Sequence, residues 1–210
     1  MHRNLTRFAA GAIGLSLLAC ASAAFAQSAP PVRIRGEIEK VDGNTLMIKA
    51  RDGSQVTVGM ADNVRVMAFV KASLEDIKPN SYIGVTADPQ PDGSQKAIAI
   101  HIFSEAQRGT GEGHRPWDLR PGTTMTNAAV ETTVAGVDGQ TITVKYKMGD
   151  RTGEQKVIVP PGIPIVAYAT GDRSEIKPGA QIIIFGATKQ ADGSLQTPAV
   201  NVGRGVTPPM

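Results

Sequence analysis

Apolar and polar side chains alternate along this chain in short runs. Leu46, Ile48 and Ala50 fall on one face of an extended segment, with Thr45, Met47 and Lys49 on the other. Val56, Val58 and Met60 resume the pattern after Asp52-Gly53, and Ile142, Val144 and Tyr146 repeat it later. A period of two is what a half-buried strand requires. Asp-Gly pairs beginning at 42, 52, 92, 138 and 192 punctuate the runs and predict tight turns between strands. One helical signal recurs. Ser73-Leu74-Glu75-Asp76 precedes Ile77-Lys78-Pro79-Asn80, and Asp172-Arg173-Ser174-Glu175 precedes Ile176-Lys177-Pro178-Gly179. Each places a capping residue three positions before an acid, then stops the turn with proline. Pro-Asn and Pro-Gly suit a type II turn, whose second central residue takes a positive φ.

The pattern is duplicated. Val41–Lys49 matches Val137–Lys145 at an offset of 96. Ile77–Asn80 matches Ile176–Gly179 at 99, and Asp92–Ser94 matches Asp192–Ser194 at 100. Order is kept while the offset drifts by loop-sized steps. Each copy reads strand, strand, strand, short helical turn, strand, strand, with the last two strands over 81–87 and 97–103, then 181–187 and 198–202. That is the element order of a small OB-type barrel. The expected fold is therefore all-β: two tandem five-stranded OB-like barrels from an internal duplication, one short helical turn in each. A merged sandwich built from both copies is the alternative. The expected boundaries are 1–26 for a signal peptide, 27–31 for a tail, 32–103 for repeat 1, 104–129 for a Gly/Pro-rich connector, 130–203 for repeat 2 and 204–210 for a second tail.

These residues resemble a family of bacterial exported proteins of unknown function built from OB-like barrel repeats. Gly36-Glu37-Ile38 through Lys49, Ile77–Asn80 and Asp92–Ser94 carry the plan once; Val137–Lys145, Ile176–Gly179 and Asp192–Ser194 carry it again. The shared motifs are turn and core residues, so the resemblance implies a fold and no activity. The first strand of the second copy, placed over 131–137, departs from the plan because Val134-Ala135-Gly136 crowds its glycine against the hairpin.

The ends change the charge picture. Arg3 and Arg7 precede an apolar run with small residues, and Ala24-Phe25-Ala26 has the form of a signal-peptidase site. Export with cleavage near Ala26 is expected, to the periplasm or medium. Lipid anchoring at Cys20 is the alternative. The full chain has 22 Lys+Arg and 19 Asp+Glu. Losing Arg3 and Arg7 leaves 20 against 19, too near neutrality to steer nucleic acid. The single cysteine, Cys20, leaves as well, which removes thiolate chemistry and disulfides. No other long apolar run exists, so a membrane-spanning role is not expected.

The search for chemistry returns little. No nucleophile elbow, phosphate loop, dinucleotide fingerprint or zinc-protease helix is present. The Asp-Gly pairs lack calcium-loop spacing. The expected second and third strands carry Tyr146 as their lone aromatic, which argues against stacking on nucleic acid. His101 reads as a solvent-facing or hydrogen-bonded strand histidine; its counterpart is Asn201. The connector holds GHRPWDLRPG, with the chain's one tryptophan. Trp117 and Leu119 are costly to leave in water, so this segment is expected to dock as an extended strap. His114, Arg115, Trp117 and Arg120 are the candidate ligand- or partner-binding residues. His114 with Met125 is the candidate for a loose copper or zinc site. No cofactor and no catalytic residue is assigned. The expectation is a non-catalytic binding or scaffold protein of the cell envelope, whose partner would be another envelope protein or the other repeat only; the alternative is a periplasmic metal-handling (copper or zinc) protein.

Overall fold

A computed structural model describes residues 30–136 and 139–209. The expected signal peptide, Cys20 and the Ala26 cleavage site lie outside the described residues, as do Val137 and Asp138 of the second hairpin turn.

The described chain is all-β. Its strands are β1 (Val32–Asp42), β2 (Thr45–Ala50), β3 (Gln55–Lys71), β4 (Tyr82–Pro89), β5 (Gln95–Ile102), β6 (Gly113–Pro116), β7 (Thr124–Gly136), β8 (Gly139–Met148), β9 (Arg151–Val159), β10 (Ile165–Thr170), β11 (Gln181–Lys189) and β12 (Leu195–Gly203). The helical content is three 3₁₀ turns, Leu74–Asp76, Glu105–Gln107 and Arg173–Glu175.

The turns form as their chemistry dictates. Asp76 accepts from the Ser73 backbone N–H at 2.8 Å and its hydroxyl at 3.0 Å, and Glu175 accepts from the Asp172 N–H at 3.2 Å. Ser81 N–H donates to the Lys78 carbonyl at 2.9 Å, and Ala180 N–H to that of Lys177 at 3.1 Å. Asn80 and Gly179 take φ of 67° and 84° there. The carboxylates of Asp52, Asp92 and Asp192 accept from the N–H and hydroxyl of the serine two residues on. They are turn formers.

One closed five-strand barrel runs β1-β2-β3-β12-β11 and back to β1. Its two ends of chain are far apart in sequence: β1 to β3 come from 32–71 and β11 and β12 from 181–203. Its core holds Ile38, Leu46, Ile48, Val58, Ile182 and Ile184, plugged by Ile176 from the 3₁₀ turn. The remaining strands pair around a second ring, β4-β7-β8-β9-β5, where Gln95↔Val157 and Lys96↔Ile158 join β5 to β9. Its core holds Ile83, Val85, Ile142, Val144 and Val157, plugged by Ile77. Both rings thus cross the boundary expected between 32–103 and 130–203. The separation occurs within β3: its first half pairs β2, and its last five residues pair β10 instead. On the other side the equivalent stretch is broken after Val159 by Pro160, Pro161 and Pro164, because proline cannot continue a ladder.

The registers of the two rings match. Leu195 faces Val58 while Gln95 faces Val157; Asn201 faces Met67 while His101 faces Val166. Arg35 faces Ile183 while Asn127 faces Gly84. Phe69 faces Tyr168 where β3 meets β10.

The connector differs from its expected bounds. Its last six residues, 124–129, belong to β7, and Gly113–Pro116 pairs with them as β6. The strand begins at Thr124 rather than 131. Residues 124–128 are buried on both faces, so no alternation marks them in the sequence.

Candidate functional site

The outer faces of the two rings pack on each other. Arg33 and Arg35 alternate with the core residue Ile34 on β1, so they project outward. Ile183 projects outward from β11 in the same way, and Gly84 from β4. Phe69, Met125, Val166 and Ile183 form a third buried cluster at this junction, with Trp117, Tyr168 and Phe185 against it.

A pocket of about 260 Å³ opens beside that cluster. The ring facing it through β4, β5 and β7 contributes His101, Phe103, Met125 and Asn127. The closed barrel contributes Arg33 and Phe185, β10 contributes Tyr168, and the connector adds Thr110, Gly111, Arg115 and Trp117. Four of the seven aromatic residues beyond position 26 line it. They are scattered over 103–185 in sequence, and only the strand pairing brings them together.

The row His101–Gly84–Asn127 crosses three adjacent strands. A Cβ on Gly84 would overlap the His101 ring and approach Asn127 Oδ1 to 2.7 Å. Glycine is what lets these two side chains lie over β4. The corresponding row in the closed barrel is Asn201–Ile183–Arg35, where isoleucine fills the space. Asn127 donates from Nδ2 to the Thr110 carbonyl at 3.0 Å. His101 packs edge-on to Phe103 at 4.6 Å and Tyr168 at 5.7 Å between centroids. Burial, reinforced by the Arg115 charge, pushes its imidazolium pKa down to about 3, so the ring is neutral at ordinary pH. The expectation of a solvent-facing or hydrogen-bonded histidine is overturned: His101 is 3% exposed, and its Nδ1 has no partner.

Unpartnered polar atoms concentrate here. Among the described residues five buried side-chain polar atoms have no hydrogen-bond partner. Four of them, Arg33 Nε, His101 Nδ1, Trp117 Nε1 and Asn127 Oδ1, belong to residues that line this pocket. The fifth, Thr86 Oγ1, lies on the same face of β4, two residues from Gly84. Each such atom costs about 1–3 kcal/mol, and clustering of this kind asks for an explanation.

Charge gathers at the mouth. Asp118 bridges Arg33 at 2.6 Å and Arg35 at 2.7 Å. The Arg33 guanidinium carbon lies 3.9 Å from the Trp117 ring centroid, and that of Arg115 lies 5.5 Å from it.

The four sequence candidates separate. Arg115 and Trp117 line the pocket, and Trp117 is held by its backbone N–H, which donates to the Thr123 carbonyl at 2.8 Å. The segment docks on the junction through its indole, so it is strap and pocket wall together. Arg120 points away and pairs with Asp88. His114 lies on the opposite face of β6 from Arg115, where its Nδ1 is 2.8 Å from the Thr126 hydroxyl and its ring stacks near Tyr146 at 6.3 Å. Met125 pairs with Arg115 and shares its face. His114 and Met125 therefore project to opposite sides of the ribbon and do not converge on one metal. No group of three His, Cys, Asp or Glu that could hold a metal occurs among the described residues.

No protein-family model matches this chain. No curated protein and no solved structure matches it either.

Sequence reading missed Arg33, His101, Asn127, Tyr168 and Phe185. For the row His101–Gly84–Asn127 the signal is divergence between matching positions, His101 against Asn201 and Gly84 against Ile183. No helix among the described residues is long and apolar enough to cross a membrane.

Proposed function

We propose that this is an exported, non-catalytic binding protein of the bacterial cell envelope, built from an internal duplication of an OB-like barrel. The matched registers support the duplication. Every equivalent pair differs by 99 or 100 residues in the later strands and by 92 in the first strand. Each ring holds three consecutive strands and one turn-and-two-strand unit, the element order of the resembling family, with the two units exchanged between copies. Export rests on the first 26 residues of the sequence.

One observation carries the binding reading: four unpartnered buried polar atoms belong to residues lining a single aromatic-walled pocket. Pockets with apolar walls and a few convergent polar groups are what small-molecule sites look like. The non-catalytic reading follows from its side chains. His101 is flanked by Asn127 and aromatic rings, and no Asp, Glu, Cys or Ser is among the described residues that line the pocket.

A thermal-shift screen of small metabolites against the protein and Trp117→Ala tests this. Compounds that bind the folded state raise the wild-type Tm, and the same compounds leave the variant unmoved. A screen that moves neither, with recovery of a stoichiometric protein partner from the envelope fraction, would replace ligand binding with scaffolding.

A further inference from the structure

We propose that the pocket takes a small organic anion: a carboxylate on a compact apolar body. This inference rests on the binding reading above and adds the chemistry of the ligand. Three arginines meet at the mouth, and Asp118 serves two of them, Arg33 and Arg35. Arg115 has no carboxylate partner among the described residues; its guanidinium donates to the Gly111 carbonyl at 2.7 Å. Burial and the like charge of Arg33 both disfavour its cationic form. A carboxylate seated between Arg115 and Arg33 relieves both, and guanidinium groups bind carboxylates in a planar fork that suits this placement.

The apolar half is equally specified. Phe103, Met125, Tyr168 and Phe185 offer walls without a formal charge. His101, neutral through burial, and Asn127 each hold an unpartnered polar atom buried behind that wall. At about 260 Å³ the pocket is near the small end of the ~300–1,000 Å³ range of ligand sites, which limits the body to roughly one ring. The site is built on one half alone: at the matching row Ile183 stands where Gly84 makes room for the His101 and Asn127 side chains. A duplicated scaffold that has opened one side, lined it with His101 and Asn127 and closed it with the connector is arranged around a ligand rather than around stability.

Trp117 is the one tryptophan in the chain, so its fluorescence reports on this pocket. The purified protein is titrated with benzoate, benzamide and inorganic phosphate. Benzoate gives a saturable change with an affinity roughly tenfold or more above benzamide, the size of one charge-assisted hydrogen bond. Phosphate, lacking the apolar body, binds more weakly than benzoate. Arg115→Gln lowers benzoate affinity to the benzamide level and leaves benzamide unchanged. If that variant fails to fold, the benzoate–benzamide contrast on the wild type decides. Equal affinity for benzoate and benzamide overturns the anion and leaves the binding reading standing. No saturable response to any probe, with a metabolite screen that also finds nothing, overturns both.

Discussion

His101 sits where an imidazole can be neutral and little else. Its folded pKa is near 3, against about 6.5 in the unfolded chain. Between those values the unfolded chain binds a proton that the folded one does not. Its contribution is therefore whole above pH 6.5 and is lost as pH falls from 6.5 toward 3, with a slope of up to ~1.4 kcal/mol per pH unit. His114, half-buried and also shifted down by burial and Arg115, adds a smaller part. The turn carboxylates Asp52, Asp92 and Asp192 are held below their ordinary value of 3.8 by their serine partners, so their contribution is lost below the interval between pH 7 and pH 5. Urea unfolding at pH 7 and pH 5 is expected to show a clear loss of wild-type stability at pH 5. His101→Asn, which installs the residue of the matching position, removes most of that loss; an unchanged loss in the variant would exclude His101 as its source. Gly84→Ala drives a methyl into the His101 ring. Overpacking of this kind costs about 1–3 kcal/mol, read as a lowered denaturation midpoint. It should also weaken the response of Trp117 to benzoate by displacing His101 and Asn127.

At the scale of elements, turns were more legible than strand partners. The Ile-Lys-Pro-Asn/Gly signal fixes a positive φ at Asn80 and Gly179, and both residues tolerate that region. Asn80→Gly is expected to be close to neutral. Asn80→Val is expected to lose about 1–2 kcal/mol, because a β-branched side chain is strained there. Equal stability of the two variants in chemical denaturation would show that the turn carries no such strain. Strands with one buried face, β2 and β8, were readable from alternation. The start of β7 was not, since Met125 and Asn127 face the pocket while Thr126 and Ala128 face the ring interior. A strand covered on both sides has no polar face to mark its period. The candidate site was half legible for a related reason. Arg115 and Trp117 stand out as charge and a lone indole in a loop, whereas His101 and Asn127 lie within apolar strands that look like core.

For the whole molecule, the strand exchange has a mechanical consequence. The ring β4-β7-β8-β9-β5 is contiguous in sequence, whereas the closed barrel is made from the chain on both sides of it; β10, paired with both β3 and β5, and the buried cluster Phe69, Met125, Val166 and Ile183 couple the two. Chemical denaturation is expected to give one transition with coincident fluorescence and circular dichroism. A second transition with one ring intact would show that β10 and the junction cluster do not couple the rings. Residues 30–108 expressed alone hold three strands of one ring and two of the other, so they are expected to dimerise rather than fold as a monomer. Sedimentation or light scattering reads that state directly; a stable monomeric barrel from 30–108 would show that exchange is not required.

The amino-acid sequence by itself determined the strands, the turns, their order and the matching of two stretches. Those features depend on side-chain period, on glycine and proline dihedrals and on Asp-Ser hydrogen bonds, all local within a few residues. Only the tertiary structure decided which ring each strand joins. Ladder hydrogen bonds are made by the backbone, and two stretches of like pattern offer nearly equivalent edges, so local chemistry does not choose between a strand's own stretch and the other. The choice falls to the uninterrupted β3, the proline break after Val159 and the docking of the connector through Trp117. The pocket exists because of that choice, since its walls come from both rings and from the strap that joins them.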